Sequence, residues 1–353
     1  MADIILKNIR IAGISACVPS NVSYISDYTL FSETELANFQ KTVGVHQRRV
    51  VGQGTVTSDL CAFAARKLMD KLSWDPSSVD ALIFVTQTSD YVIPSTAIIL
   101  QNKLGLPNSC LAFDINLGCS GYVVGLQTAA SLINPTGIRR VIFLAGDIAS
   151  HNMSYFDKST YPLFGDAGSA TAVEYCENAP DAFFSTASDG KEFDALYVKA
   201  GGTRHMANPE SFEYHEYPGG IRRTDTQMIL DGLRVFNFSI TRVPPQIEKV
   251  LALASSSVDS TDFFFLHQAN RIMVETIRKK LRIPPEKCPY SIDMFGNTSS
   301  ASIPVTMCHT IGNETKGISA SLLLSGFGIG LSWATASLKL SETIVLPIAE
   351  YHE

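Results

Sequence analysis

Short, unbroken apolar runs punctuate the chain. Ala81–Val85, Val141–Ala145 and Phe263–Leu266 each carry four or five consecutive apolar residues, without the alternation of a half-exposed strand. Runs of this length predict strands buried on both faces, as in parallel sheets. Between them the apolar spacing turns helical. Met273, Ile277 and Leu281 recur every four residues and predict one buried helix face. Pro107 and Pro284 stop the helices that precede them. Ile4, Ile5 and Leu6 predict an edge strand at the N-terminus. The alternation of strands and helices is that of an α/β protein.

The pattern repeats. Asp80-Ala-Leu-Ile-Phe-Val85 leads to a helix ending Lys103-Leu-Gly-Leu-Pro107, and Asp262-Phe-Phe-Phe-Leu266 leads to one ending Lys280-Leu-Arg-Ile-Pro284. Phe113-Asp-Ile-Asn-Leu-Gly-Cys-Ser120 parallels Ile292-Asp-Met-Phe-Gly-Asn-Thr-Ser299, and Val141-Ile-Phe-Leu-Ala-Gly-Asp147 parallels Ser321-Leu-Leu-Leu-Ser-Gly-Phe327. Three matches in the same order, about 180 residues apart, predict two pseudo-symmetric halves, 1–178 and 179–353.

Composition narrows the setting. With 353 residues, 45% of them hydrophobic, the chain can bury a large core. It has no uncharged apolar run long enough to span a membrane and no signal-peptide pattern. Its seven cysteines are scattered, with no Cys-x-x-Cys pair. Free thiols of this kind suit a reducing, cytoplasmic setting and argue against a zinc site, so neither metal nor cofactor is expected. A net charge of −6 gives no sign of nucleic-acid binding.

The candidate chemistry lies at the repeated turns. Cys119 follows the predicted strand Leu111–Ile115, precedes an apolar helix, and sits between Gly118 and Gly121. A helix N-terminus is expected to lower a thiol's pKa, and a thiolate is a good acyl carrier. His267 ends the Phe263–Leu266 run. Asn297 lies in Phe295-Gly-Asn-Thr-Ser-Ser300, read as a second strand-to-helix turn, 178 positions beyond Cys119 (297 − 119). Alone, His267 could be a core histidine and Asn297 a helix cap. The repeat, however, brings all three to strand C-termini, which converge on one crevice in a doubly wound sheet. A Cys–His–Asn order also occurs in papain-like proteases, but those have a Cys-Gly-Ser-Cys-Trp context and no internal repeat.

Leu117-Gly-Cys-Ser-Gly121, His267-Gln-Ala-Asn270 and Gly296-Asn-Thr-Ser-Ser-Ala-Ser302, in that order, resemble the β-ketoacyl-acyl-carrier-protein synthase III family. Phe164-Gly-Asp-Ala-Gly168 and Gly326-Phe-Gly-Ile-Gly330 with Trp333 extend the likeness over nearly the whole chain. The resemblance implies a five-layered αβαβα thiolase fold and a homodimer. It implies that Cys119 takes an acyl group from a thioester, and that His267 and Asn297 promote decarboxylation of malonyl-acyl carrier protein. The resulting carbanion would attack the Cys119 thioester, as in the initiation of fatty-acid synthesis. Backbone N–H groups of Cys119 and Ile329 would form an oxyanion hole, with Ile329 standing where the family usually has glycine. Asn270 would line the pantetheine tunnel, and Ile93, in Tyr91-Val-Ile93, would reach the partner's acyl pocket. A non-decarboxylating acyltransferase, or a condensing enzyme of secondary metabolism, is the rival reading within this fold.

Two positions depart from the family pattern. The tryptophan and arginine that sandwich the adenine of coenzyme A fall at Asn38 and Lys158, and lysine cannot stack as a guanidinium plane does. Lys158 stays a candidate for the substrate's phosphopantetheine side as a point charge. On the helix after His267, Arg271, Arg278 and Arg282 share a face, with Lys279 and Lys280 beside them and Glu275 in the same stripe. This patch is expected to dock the acidic carrier protein.

Overall fold

The computed structural model describes residues 2–352. Its 11-stranded sheet contains two five-stranded sets, and the short strand Ala349–Tyr351 pairs with the edge of the first. In the first, Leu111–Ile115, Ala81–Val85, Arg140–Asp147, Ala167–Tyr175 and Ile9–Pro19 lie side by side. In the second, the order is Phe263–Leu266, Ile318–Gly328, Ser332–Val345, Ala182–Ser188 and Ala2–Leu6. The chain passes from the first set to the second between Tyr175 and Ala182. Ala2–Leu6 pairs with Ala182–Ser188, so the first strand of the chain edges the second sheet.

The strands alternate their faces between layers. Ile83, Val85 and Phe143 turn to the core between the sheets, where they meet Val123, Leu126, Ile303, Met307, Phe265 and Leu324. Leu82, Phe84, Ile142 and Leu144 turn outward, onto Leu60, Leu68 and Leu100 of the helices Thr57–Leu72 and Thr96–Lys103. In the second sheet Phe264, Leu266 and Leu323 face Val243, Ile247, Met273 and Ile277 of Gly232–Leu253 and Arg271–Lys280. The middle layer is formed by Gly121–Leu132 and Ser302–Ile311. Both have sheets on either side, so they are apolar nearly all round instead of amphipathic. This gives five layers, helix–sheet–helix–sheet–helix.

The repeat holds for strands but breaks at one place. Leu111–Ile115 is a strand, as expected. Its expected counterpart is not: Ile292–Phe295 is a single helical turn. The backbone that follows bonds to the first half instead of extending the second sheet. Asn297 N–H donates to the Leu163 carbonyl at 2.9 Å, and Gly165 N–H donates to the Asn297 carbonyl at 3.1 Å. Asn297 therefore sits on a bridge to Phe164, not at a strand-to-helix turn.

Candidate active site

Cys119 lies in the loop between Leu111–Ile115 and the helix Gly121–Leu132. The turn at Gly326–Gly330 presses on it from the second half. Gly328 has φ +154, and a side chain there would stand 2.7 Å from the Cys119 Sγ, so only a glycine fits. Ser332 locks the two turns together. Its hydroxyl lies 2.7 Å from Ser120 Oγ and donates to the Ile329 carbonyl at 2.8 Å.

His267 ends the Phe263–Leu266 strand, and its N–H donates to the Ser325 carbonyl at 2.8 Å. The ring is buried, edge-on to Phe327, and its Nδ1 lies 2.6 Å from Ser302 Oγ. Nε2 is thus the nitrogen left for the cavity. Burial alone pushes the imidazole pKa down to about 3, so the ring is neutral at physiological pH. Asn297 accepts the Ser299 N–H at Oδ1, 2.9 Å, while its Nδ2 has only a long 3.5 Å contact to the Ala269 carbonyl. The amide is therefore held with its donor end available. Asn270 caps the helix Arg271–Lys280 by accepting the Met273 N–H at 2.8 Å.

Cys119, His267, Asn297 and Asn270 all line one pocket, with Leu163, Phe164, Met273 and Phe327 around them. A second cavity begins on another side of Cys119 and is lined by Gln87, Asp147, Asn152, Met228 and Ile329 among others. The thiol stands where the two meet. This arrangement suits a group that takes a cargo from one channel and holds it in the other.

The structure corrects the expected thiol acidity. Cys119 is 6% exposed, and burial pushes its pKa up to about 11. The Ile329 and Cys119 backbone N–H groups oppose the shift, while the charge of buried Asp147 adds to it. Desolvation outweighs the helix terminus, which is worth little more than about 1 kcal/mol in most settings. The rate of Cys119 acylation by a simple thioester should therefore climb about tenfold per pH unit from pH 6 to 9, following the thiolate. A pH series read by intact-protein mass spectrometry checks this; a plateau near pH 7 would contradict it.

Other candidates fare differently. Ile329 lines the second cavity and its N–H faces the Cys119 sulfur. Ile93 is 83% exposed, between exposed Val92 and Pro94, and lines neither cavity. Lys158 is held by Glu35 at 2.8 Å, so it is not a free cation for the substrate. Phe39 packs on Phe31, ring centroids 5.1 Å apart, and does not stand in for the missing adenine clamp. Arg278 is withdrawn from the docking patch: it forms a two-pronged pair with Glu275 and donates to the Ile283 carbonyl, leaving its side chain 12% exposed. Lys279 leans on the same Glu275 at 3.6 Å, and Lys280 donates to the Ile240 carbonyl. Arg271 and Arg282 remain exposed.

Some site residues lie outside what the sequence reading finds. Asp147 accepts from Gln87 N–H at 2.7 Å with one oxygen and from Ser300 Oγ at 2.7 Å with the other. It ties the loop after Ala81–Val85 to the Asn297 turn. Its position at the end of a buried apolar strand is a usable signal. Ser302 carries none, because its role depends on a contact 35 residues away in sequence.

The five-layered fold, with Cys119, His267 and Asn297 lining one pocket, is that of a thiolase-fold condensing enzyme, an acyltransferase. Residues 113–190 match the family model for 3-oxoacyl-[acyl-carrier-protein] synthase III, and residues 251–340 match the model for its C-terminal region. The β-ketoacyl-[acyl-carrier-protein] synthase III of Roseiflexus castenholzii is 32% identical, over 94% of this chain and 98% of its own. That of Streptococcus suis is 31% identical over 94% and 98%. The crystal structure of a 3-oxoacyl-(acyl-carrier protein) synthase from Burkholderia xenovorans superposes with a TM-score of 0.92 at 37% identity, covering 99% of both chains. The chain belongs to the 3-oxoacyl-[acyl-carrier-protein] synthase III family.

Proposed function

We propose that this enzyme condenses an acyl group held on Cys119 with malonyl-acyl carrier protein, releasing CO₂ and a β-ketoacyl-carrier product. The observation that carries the reading is the shared pocket: a thiol, a neutral imidazole and an amide donor face one space. In the first half-reaction the Cys119 sulfur attacks the donor thioester carbonyl. The donor's C–S bond breaks, and its thiol leaves with the proton. The backbone N–H groups of Cys119 and Ile329 suit the oxyanion that forms in between.

In the second, the malonyl C–C bond breaks, CO₂ departs, and the electron pair moves onto the thioester oxygen as an enolate. His267 Nε2–H and Asn297 Nδ2–H supply the two donors. This requires Ser302 to donate its hydroxyl proton to Nδ1, which leaves the ring hydrogen on Nε2. The neutral ring fits the task, since it donates a hydrogen bond without losing a proton. The carbanion then attacks the acyl carbonyl, and the Cys119 thiolate is released. Asn270 and Met273 would flank the pantetheine arm, and two subunits would pair through the exposed Tyr91–Ile93 loop.

The carrier protein is favoured over coenzyme A as acyl donor, because Asn38 offers no ring and Lys158 is paired with Glu35. Base stacking on an aromatic side chain is worth roughly 1–3 kcal/mol. Delivering one acyl group on each carrier, with labelled malonyl-carrier protein as extender, tests the reading. Labelled CO₂ and a higher kcat/KM for the carrier-bound donor are expected. Acyl transfer without CO₂ would replace the condensation by simple acyl exchange, and a preference for the coenzyme A donor would overturn the donor assignment.

A further inference from the structure

On the proposed reading, the second cavity, which begins at Cys119, is the space left for the acyl group, and any choice the enzyme makes among acyl groups depends on that role. The lining of the cavity is mixed. Ala149, Phe164, Leu196, Met228 and Ile329 supply apolar surface, but two carboxamides, Gln87 and Asn152, also face it. Neither side-chain amide has a hydrogen-bond partner among the described residues. The Gln87 backbone is fixed, its N–H donating to Asp147 at 2.7 Å. Its side-chain oxygen lies against Gly118, where any side chain would collide with it. One unpaired amide is thus held beside the residue that precedes the nucleophile.

We propose that this enzyme selects an acyl group bearing an uncharged hydrogen-bonding substituent, a hydroxyacyl primer, through Gln87 and Asn152. A plain alkyl chain entering this cavity strips water from both amides and returns nothing. A hydroxyl replaces that water bond for bond, since it both donates and accepts, as an amide does. The apolar residues cover the carbon chain. An anionic substituent fits poorly, because the Asp147 carboxyl lines the same cavity and its two oxygens are already taken by Gln87 N–H and by Ser300. Two such hydrogen bonds of ordinary strength amount to a preference on the order of tenfold.

The test offers the enzyme an equimolar mixture of butanoyl and 3-hydroxybutanoyl thioesters of N-acetylcysteamine, and reads the adducts on Cys119 by mass spectrometry at short times. The hydroxyacyl adduct should lead by about tenfold. In Gln87→Leu, and separately in Asn152→Leu, the ratio should fall toward one or reverse. An equal or greater share of butanoyl adduct in the wild-type enzyme overturns the proposal while leaving the condensing reading intact. A hydroxyacyl preference that survives in both variants overturns the assignment to these two residues. No adduct on Cys119 from either thioester refutes the acyl-carrying role of Cys119 itself, and the primer selection falls with it.

Discussion

Cys119→Ala should abolish the acyl adduct and reduce condensation by on the order of 10⁶, as loss of a covalent nucleophile does. No other thiol among the described residues is placed to take over. Cys17, Cys61, Cys110, Cys288 and Cys308 are buried and line neither of the two cavities that meet at Cys119. Cys176 is the one described cysteine that is not buried, and it lines a different pocket, with Arg10, Glu177 and Glu342. It is thus the natural internal control. Peptide mapping after incubation with an acyl thioester should place the label on the Cys119 peptide in the wild-type enzyme and nowhere in the variant. A label that persists on another cysteine, with condensation intact, would end the assignment. Folding should survive the change, because removing one sulfur from a turn that already faces two cavities exposes no new polar group.

His267→Ala and Asn297→Ala should each slow CO₂ release by about 10²–10³, the usual cost of losing one donor to a developing oxyanion. Self-acylation of Cys119 should fall much less, since on the proposed reading its oxyanion donors are backbone groups of Cys119 and Ile329. The two half-reactions are separable by experiment: a single acylation without extender, then a chase with malonyl-carrier protein. Ser302→Ala should follow His267→Ala in direction but with a smaller effect, because the ring stays in place but loses the bond that selects its tautomer. His267 is neutral down to about pH 3, so its titration adds no acid limb to the CO₂ profile between pH 5 and 8. Equal loss of both half-reactions in His267→Ala would make His267 an activator of the thiol instead.

The features legible in the sequence are those written in local pattern. Unbroken runs such as Ala81–Val85 announce strands buried on both faces. Met273, Ile277 and Leu281 are buried on one helix face as their spacing implies. Cys119, His267 and Asn297 stand out because each follows a recognisable element, and they do line one pocket. The departures have a common cause in contacts that lie outside the element being read. Ile292–Phe295 reads as a strand because its counterpart is one, but its onward backbone is bonded to Leu163 and Gly165. The place of Cys119 before a helix implies an acidic thiol, and burial by the Gly326–Gly330 turn reverses that. The pairing of Arg278 with Glu275 is local and follows from their spacing on one helix stripe, but the bond from Arg278 to the Ile283 carbonyl, which completes its withdrawal, does not. No pattern within one helix shows how a guanidinium is shared with a loop beyond its end.

The strand Ser332–Val345 belongs to both sheets: it pairs with Ala182–Ser188 and Ile318–Gly328 in one, and its end, Ile344 and Val345, lies parallel to Gly13 and Ile14 in the other. Ala2–Leu6 makes the reverse exchange. The halves are therefore laced, not merely docked, and a jaw-like rotation about a hinge would tear backbone bonds at two places. On the proposed reading, substrate therefore reaches Cys119 through the two cavities that meet there, not by the two sheets parting. A chain cut between Tyr175 and Ala182 would give two pieces, each lacking a strand that the other holds.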